Sequence, residues 1–252
     1  MFDKFVLFLD ILGFSQLVSR NSPDELSKIY DTEFHKAAAA STAFAGAMFG
    51  RMPNLSMNVH GNVLQDVRQD DLNFHVMSDT LIAWTNDDTF DALVHLTQFT
   101  AAYLSITLML GLPHRGAISK GGIQLIELPL NGKLQSNVVG SGVVNAHDFE
   151  PGQEWMGCVV DSSCFDGLEV TQRADFPVVD YKVPYGCKKP KRISTMAIDW
   201  PRCLMQLQAN ADVEFFQQQF GRYKKGTESA KAKIENTAAY YSVMMSLRSA
   251  VV

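Results

Sequence analysis

A continuous apolar run that ends in an aspartate restricts the fold of this chain more than any other sequence feature. Residues 5–9 are all apolar, two of them are aromatic, and Asp10 follows directly. A short apolar run rich in aromatic residues predicts a β-strand that is covered on both faces. Asp10 is expected to end this strand, and burial of its carboxylate is costly unless a partner or a metal ion compensates. A plainer interpretation, in which Asp10 caps the turn into Leu12 and Gly13, stays open.

The pattern further along the chain predicts alternating helices and strands. A capping box that starts at Ser22, with Pro23 at the first helical position, predicts a helix from about 23 to 48. A second helix is expected over 89–110, opened by Asp88 and closed by Gly111. The strand-like segments are 73–77, 81–85, 115–119, 122–127, 138–140, 158–161 and 178–183, with a short helix near 143–150. This order predicts an α+β fold with a ferredoxin-like βαββαβ kernel.

The C-terminal part of the chain is expected to be helical. Residues 201–220 and 228–249 carry helical patterns, the second of them polar at first and then rich in aromatic residues and methionine. We therefore divide the chain into a domain of residues 1–200 and a helical extension of residues 201–252. The extension is expected to pack on that domain or on a second chain.

Composition excludes several classes of protein. The chain has 252 residues and a formal net charge of −5, which gives no general attraction for nucleic acid. The apolar runs are too short to span a membrane, and the start lacks the layout of a signal peptide. Four cysteines without a CxxC pair suggest neither a zinc site nor a disulfide framework, so a cytosolic protein with reduced thiols is expected. The basic cluster at 188–192 is interpreted as a solvated loop.

A second aspartate lies where two strands are expected to meet. Asp79 falls in the short break between the strand-like segments 73–77 and 81–85, at the predicted tip of a hairpin. Aspartate is a common turn residue, so a purely structural role is possible here. Together with Asp10, however, it would form a carboxylate pair suited to a hard divalent cation and a triphosphate.

Four segments carry a resemblance to class III nucleotidyl cyclases. Residues 8–15, FLDILGFS, are similar to the family's FxDIxGFT segment, and residues 77–80, MSDT, match its second metal-aspartate hairpin. Residues 115–121 resemble the RxGIxxG strand, and residues 140–150 resemble the GxxVNxAxRLE helix. The resemblance covers roughly residues 5 to 160 in the right order. Within the superfamily, the opening FLDILGF at 8–14, the strand HRGAIS at 114–119 and the segment KIENT at 233–237 most resemble the bacterial pyrimidine cyclases of Pycsar antiphage systems.

The resemblance implies a site with two metal ions. Asp10, Asp79 and the carbonyl of Ile11 would hold two Mn²⁺ or Mg²⁺ ions, one lowering the pKa of the ribose 3′-hydroxyl and the other neutralising the triphosphate. The backbone of Gly13, Phe14 and Ser15 would offer N–H groups to the phosphates. A turn glycine is the structural alternative for Gly13.

The expected base pocket departs from that of purine cyclases. His75 stands in place of their lysine, and Asn137 stands in place of their acidic or polar partner. An amide can donate and accept, so Asn137 can read uracil or cytosine. His75 is otherwise a half-buried structural histidine. The helix position of the family's asparagine is taken by Asn145, displaced by one place.

The transition-state arginine of the family is missing, because Asp148 occupies its position. Arg115, or a basic residue of a partner chain, is a candidate to supply charge to the triphosphate. The structural alternative for Arg115 is an ordinary surface arginine on a strand.

The resemblance thus predicts a cyclase whose catalytic domain is residues 1–200, working as a homodimer with active sites at the interface. It would convert UTP, in preference to CTP, into the 3′,5′-cyclic monophosphate and pyrophosphate, and the product would act on a separate effector in antiphage defence. A cytidylate cyclase, a purine cyclase and a catalytically inactive nucleotide-binding regulatory module are the alternatives. No nucleic-acid partner and no membrane span are expected.

Overall fold

The structure is a computed structural model, and it describes residues 3–30, 35–50, 72–130, 133–168, 175–186, 192–208, 211–223 and 230–249. A seven-stranded mixed sheet forms its centre, with strand order β2-β3-β1-β4-β7-β9-β8. These strands are β1 (Asp3–Ile11), β2 (Leu72–Met77), β3 (Thr80–Thr85), β4 (His114–Gly122), β7 (Gly157–Val160), β8 (Val178–Asp180) and β9 (Met196–Ile198). A separate hairpin is formed by β5 (Gln124–Leu130) and β6 (Lys133–Val139).

Eight α-helices accompany the strands in the described part of the chain. They are α1 (Phe14–Arg20), α2 (Pro23–Lys28), α3 (His35–Met48), α4 (Phe90–Met109), α5 (Ser141–His147), α6 (Pro201–Leu207), α7 (Val213–Gly221) and α8 (Lys231–Ser249). The first four strands have the order β2-β3-β1-β4 with antiparallel neighbours, and helices connect β1 to β2 and β3 to β4. This is the ferredoxin-like βαββαβ arrangement, so the predicted α+β fold class is confirmed.

The two faces of the sheet are covered differently. On one face, Phe5, Leu7 and Leu9 of β1 are completely buried in the main core, which includes α4. On the other face, Val6 joins a small apolar cluster with Ile82. Burial on both faces explains the continuous apolar run of β1, as the sequence predicted.

Helix α4 passes a length and hydropathy test for a membrane-spanning helix, and within the described residues it is the one helix that does so. In the fold it is the central core helix, because 83% of its most apolar window is buried inside the protein. A mostly buried core helix passes such a test by composition alone.

The C-terminal helices pack on the same core. Phe216 of α7 and Tyr240 of α8 are fully buried, and the Tyr240 hydroxyl donates to the carbonyl of Ile198 at 2.9 Å. Ser105 of α4 donates to the carbonyl of Trp200, directly before α6, also at 2.9 Å. Aromatic rings and these buried hydrogen bonds therefore attach the C-terminal helices to α4 and to the far strands of the sheet.

Several element boundaries differ from the predicted ones. Asp10 does not end β1: the strand continues to Ile11, because β3 and β4 flank Asp10 on both sides. Helix α1 was not expected. The helix predicted over 23–48 is described as α2 and α3, with residues 31–34 outside the described part, and the capping box at Ser22 is confirmed. Thr89 rather than Asp88 caps α4.

The predicted basic loop lies mostly outside the described residues. Of that cluster the structure describes Arg192 alone, whose guanidinium donates to the carboxylate of Asp161 at 2.9 Å. This residue therefore has a protein partner and is half-exposed rather than fully solvated.

Candidate active site

Asp10 and Asp79 meet where β1 passes the tip of the β2–β3 hairpin. Asp10 lies opposite Thr80, the first residue of β3, and Asp79 occupies the two-residue turn just before it. The amide of Ile11 donates to the backbone carbonyl of Asp79 at 3.0 Å, which fixes the turn against the strand. The two carboxyl groups are hydrogen-bonded to each other. The sequence therefore predicted correctly that Asp79 is at a hairpin tip.

The environment of Asp10 strongly favours its neutral form. Burial is the largest cause, followed by the negative charge of Asp79, the hydrogen bond to Asp79 and the charge of Glu150, and together they raise the pKa of Asp10 to about 8. The positive charge of Arg115 acts in the opposite direction. At neutral pH the carboxyl of Asp10 is therefore mostly protonated in the protein alone.

A carboxyl pair of this kind fits a hard divalent cation. Within the described residues no group of three histidine, cysteine or acidic side chains is placed to hold a metal ion. Beside Asp10 and Asp79, the carbonyl of Ile11 is the further ligand expected from the sequence. Magnesium and manganese commonly bind through one or two carboxylates and complete their shells with water and substrate phosphates. The residues present therefore suit such an ion.

Tyr30 is part of this cluster and was missed by the sequence analysis. Its hydroxyl is hydrogen-bonded to the side chain of Ser78, and burial followed by the charge of Asp79 raises the pKa of Tyr30. Ser78 has a φ of 57°, a left-handed conformation that is uncommon outside glycine. The Tyr30 ring also packs edge-on against Phe14, with the centroids 6.5 Å apart. Tyr30 thus connects the Asp79 turn with the loop after β1.

The loop after β1 turns sharply at Gly13. Its φ is 72° and it caps the N-terminus of α1 without a side-chain hydrogen bond. Glycine adopts this conformation without the steric cost that a β-carbon would bring. The amides of Phe14 and Ser15 are in the first turn of α1, where backbone N–H groups have no intrahelical acceptor. These are the N–H groups expected to contact phosphate.

Arg115 lies on the other side of Asp10. The two residues are directly opposite each other on the antiparallel strands β1 and β4. The guanidinium of Arg115 is ion-paired with Glu150 and donates to the carbonyl of Gln153 at 2.8 Å. Arg115 is therefore a partly buried, ion-paired side chain beside the carboxyl pair, and not an ordinary surface arginine.

The expected base-pocket residue His75 and the helix residue Asn145 do not lie beside Asp10 within one chain. His75 is on the same sheet face as Asp10, because both are in register through β3, but the strand spacings separate their Cα atoms by about 12 Å. Burial lowers the pKa of His75, so its ring is neutral at pH 7. Asn137 lies on β6 opposite Ile126. Asn145 donates to the carbonyl of Lys120 at 3.4 Å.

No protein-family model matches the sequence, and no curated protein matches it. Several solved structures do resemble the fold. A bacterial light-regulated adenylyl cyclase is 10% identical with a TM-score of 0.48, over 88% of this chain and 57% of that one. The chain thus spans little more than half of that protein.

Two other similar structures are guanylyl cyclase domains. The catalytic core of a rhodopsin-guanylyl cyclase with converted specificity, in complex with ATPαS, is 13% identical with a TM-score of 0.47, over 77% of this chain and 92% of that one. The dimeric guanylyl cyclase domain of a fusion protein from the aquatic fungus Blastocladiella emersonii is 15% identical with a TM-score of 0.44, over 66% and 83% of the two chains.

Proposed function

We propose that this chain is a nucleotidyl cyclase that converts a nucleoside triphosphate into its 3′,5′-cyclic monophosphate and pyrophosphate. The observation that carries the proposal is the partly buried pair of Asp10 and Asp79, whose carboxyl groups are hydrogen-bonded to each other where β1 passes the β2–β3 turn. Two carboxylates in this relation repel each other when both are ionised, and a divalent cation removes that repulsion. The four sequence segments that resemble class III cyclases support the same function independently of the geometry.

Asp10, Asp79 and the carbonyl of Ile11 would hold the Mn²⁺ or Mg²⁺ ions. When bound, such ions make the ribose 3′-hydroxyl more acidic and neutralise charge on the departing pyrophosphate. The amides of Phe14 and Ser15 would orient the β- and γ-phosphates. Arg115 would add positive charge on the side of Asp10 that faces β4.

We further propose that the substrate is a pyrimidine triphosphate, UTP in preference to CTP. His75 is neutral and Asn137 carries an amide, so neither residue offers the fixed positive charge of a lysine in that pocket. A pocket built on specific hydrogen bonds rejects a base that leaves them unpaired, by roughly 10⁴-fold in favourable cases. The choice of pyrimidine rests on the resemblance of the sequence to pyrimidine cyclases.

The position of His75 also supports a homodimer. Because its Cα lies about 12 Å from that of Asp10 in the same chain, a base pocket supplied by a second copy would complete the site. An isologous dimer would then contain two equivalent sites. We place this dimer in the cytosol, where its cyclic product would act on a separate effector in antiphage defence, as the sequence resemblance implies.

One observation favours a different function. Asp148 occupies the position of the family's transition-state arginine, and in the structure it is the C-cap of α5. A regulatory module that binds nucleotide without turning it over would lack that arginine.

Release of pyrophosphate tests the choice between the two functions. Purified chain would be incubated with UTP and Mn²⁺, with Asp79→Asn as the control variant. The cyclase predicts release of pyrophosphate, not of orthophosphate, and its loss in the variant. Nucleotide binding without either product supports the regulatory module.

A further inference from the structure

Helix α8 carries a short polar segment that contacts a single loop of the catalytic core. This loop joins α5 to β7 and consists of residues 148–156; we call it the 148–156 loop. Lys233 Nζ lies 2.7 Å from a carboxylate oxygen of Glu154, and the amide of Asn236 donates to the Glu154 carbonyl, also at 2.7 Å. The amide of Met156 donates to the hydroxyl of Thr237 at 2.9 Å. Three side chains within five residues therefore hold one loop.

The same loop holds Arg115. The carbonyl of Gln153 accepts from the guanidinium at 2.8 Å, and Glu150 forms its ion pair. Gln153 itself is completely buried. Its side-chain amide donates to the carbonyl of Gly116 at 3.1 Å, and its side-chain oxygen accepts from the indole of Trp155 at 2.9 Å. The position of Arg115 thus depends on where this loop lies.

A second set of bonds keeps the loop folded independently of α8. The amide of Glu154 donates to the carbonyl of Pro184 at 2.9 Å, and the amide of Gly186 donates to the carbonyl of Gly152 at 2.8 Å. Loss of one α8 contact is therefore expected to loosen the loop without unfolding it. Such a change alters the placement of Arg115 more than the stability of the chain.

We propose that Lys233, Asn236 and Thr237 are positioning residues for Arg115, and that through the 148–156 loop they set the affinity of the site for the phosphates of the substrate. The inference deepens the proposed function and rests on it, because it takes Arg115 as a contact of the triphosphate. Displacement of a catalytic group by about 1 Å can cost up to about 100-fold in rate. The segment that resembles pyrimidine cyclases at 233–237 thereby receives a physical role.

A double-mutant cycle tests the coupling directly. Binding of inorganic pyrophosphate in the presence of Mg²⁺ would be measured by calorimetry for the wild type, Arg115→Ala, Asn236→Ala and the double variant. Loss of a charge-assisted contact predicts about 10- to 100-fold weaker binding for Arg115→Ala. Asn236→Ala alone is expected to weaken binding about 5-fold, and to add nothing in the Arg115→Ala background.

Matched variants of α8 separate positioning from general damage. Lys233→Gln is expected to weaken pyrophosphate binding and Lys233→Arg to restore it, because arginine keeps the charge opposite Glu154. Lys231→Ala is the control, since Lys231 is 79% exposed and, within the described residues, its ion pair is with Glu235 at 3.9 Å. This variant should bind pyrophosphate like the wild type.

The outcomes distinguish this inference from the proposed function. If Asn236→Ala weakened pyrophosphate binding by the same factor in the wild type and in Arg115→Ala, the inference would be overturned. It would also be overturned if the wild type did not bind pyrophosphate. Coupling between Arg115 and Asn236 in a protein that forms no cyclic nucleotide would overturn the proposed cyclase function and leave this inference standing. A coupled cycle in a protein that forms cyclic nucleotide supports both.

Discussion

The carboxyl of Asp10 is hydrogen-bonded to that of Asp79 where β1 passes the β2–β3 turn, and burial together with the charge of Asp79 raises the pKa of Asp10 to about 8. This relationship has a cost for the protein alone, because an ordinary aspartate is ionised at pH 7 and loses that ionisation on folding. The consequences can be measured without any assumption about the substrate.

The first prediction concerns stability without metal. The pKa of Asp10 rises from 3.8 to about 8 on folding, so its stabilising contribution is complete below about pH 4 and is lost as the pH rises to 8. Asp10→Asn removes this loss and should stabilise the metal-free chain at pH 7.5 by up to about 5 kcal/mol, and by only about 1 kcal/mol at pH 4.5. Thermal or urea unfolding in EDTA at both pH values measures the difference. Equal stability of the wild type and Asp10→Asn at pH 7.5 would contradict a protonated Asp10 carboxyl in the folded chain.

The second prediction concerns the binding of manganese. A cation that binds the carboxyl pair must displace the proton that Asp10 holds at pH 7. Titration calorimetry in two buffers of different ionisation enthalpy should therefore give different binding enthalpies, equivalent to about one proton released per site. Asp79→Asn should abolish the binding. An enthalpy that is the same in both buffers would show that Asp10 is already ionised.

The third prediction concerns the turn at Gly13. Gly13→Ala places a β-carbon at a φ of 72°, which costs about 1 kcal/mol of stability, and it also hinders the approach of phosphate to the loop backbone. Gly50→Ala is a matched control, because Gly50 has a φ of 73° and open space around its missing β-carbon. Both variants should lose similar stability in unfolding experiments, and only Gly13→Ala should lose pyrophosphate binding. Equal binding by the two variants would remove the loop from the site.

The fourth prediction concerns the dimer. If Asp10 of one copy works with Asn137 of another, then Asp10→Asn and Asn137→Ala each inactivate both sites of their own homodimer. A mixed dimer keeps one intact site of two. Random exchange of subunits makes half of the dimers mixed, so activity should recover to about a quarter of the wild type. Mixed samples that remain inactive after subunit exchange would indicate a site within one chain.

Local signals made much of this fold predictable. The apolar run of β1, the capping box at Ser22 and the turn at Asp79 each reside within a few consecutive residues, and each was placed correctly. Helix α1 gave no comparable signal, because it has seven residues and buries only Leu17, too few for a visible helical period. Strand β1 continues through Asp10 because β3 and β4 pair with it on both sides. The local sequence around Asp10 does not reveal these partners.

Contacts over long distances made the rest of the site unpredictable. Tyr30 reaches Ser78 across 48 positions of the chain, and nothing around Tyr30 indicates that partner. The ion pair of Arg115 with Glu150 likewise appears only after β4 and the 148–156 loop are folded together. Sequence reasoning identified the two carboxylates by their place next to predicted strands, whereas the raised pKa of Asp10 followed from burial and neighbouring charge.

The central claim is that this chain forms a cyclic nucleotide from a nucleoside triphosphate, and that the reaction depends on the carboxyl pair of Asp10 and Asp79. The most direct measurement incubates the purified chain with each of the four ribonucleoside triphosphates and Mn²⁺, identifies the products by mass spectrometry, and repeats the reaction with Asp10→Ala and Asp79→Ala. We expect cyclic UMP as the main product and at least a 100-fold loss in both variants, about 2.7 kcal/mol of transition-state stabilisation. Cyclic CMP, cyclic AMP or cyclic GMP as the main product would support the proposed cyclase activity but show that UTP is not the preferred substrate. No cyclic product from any triphosphate would contradict the claim.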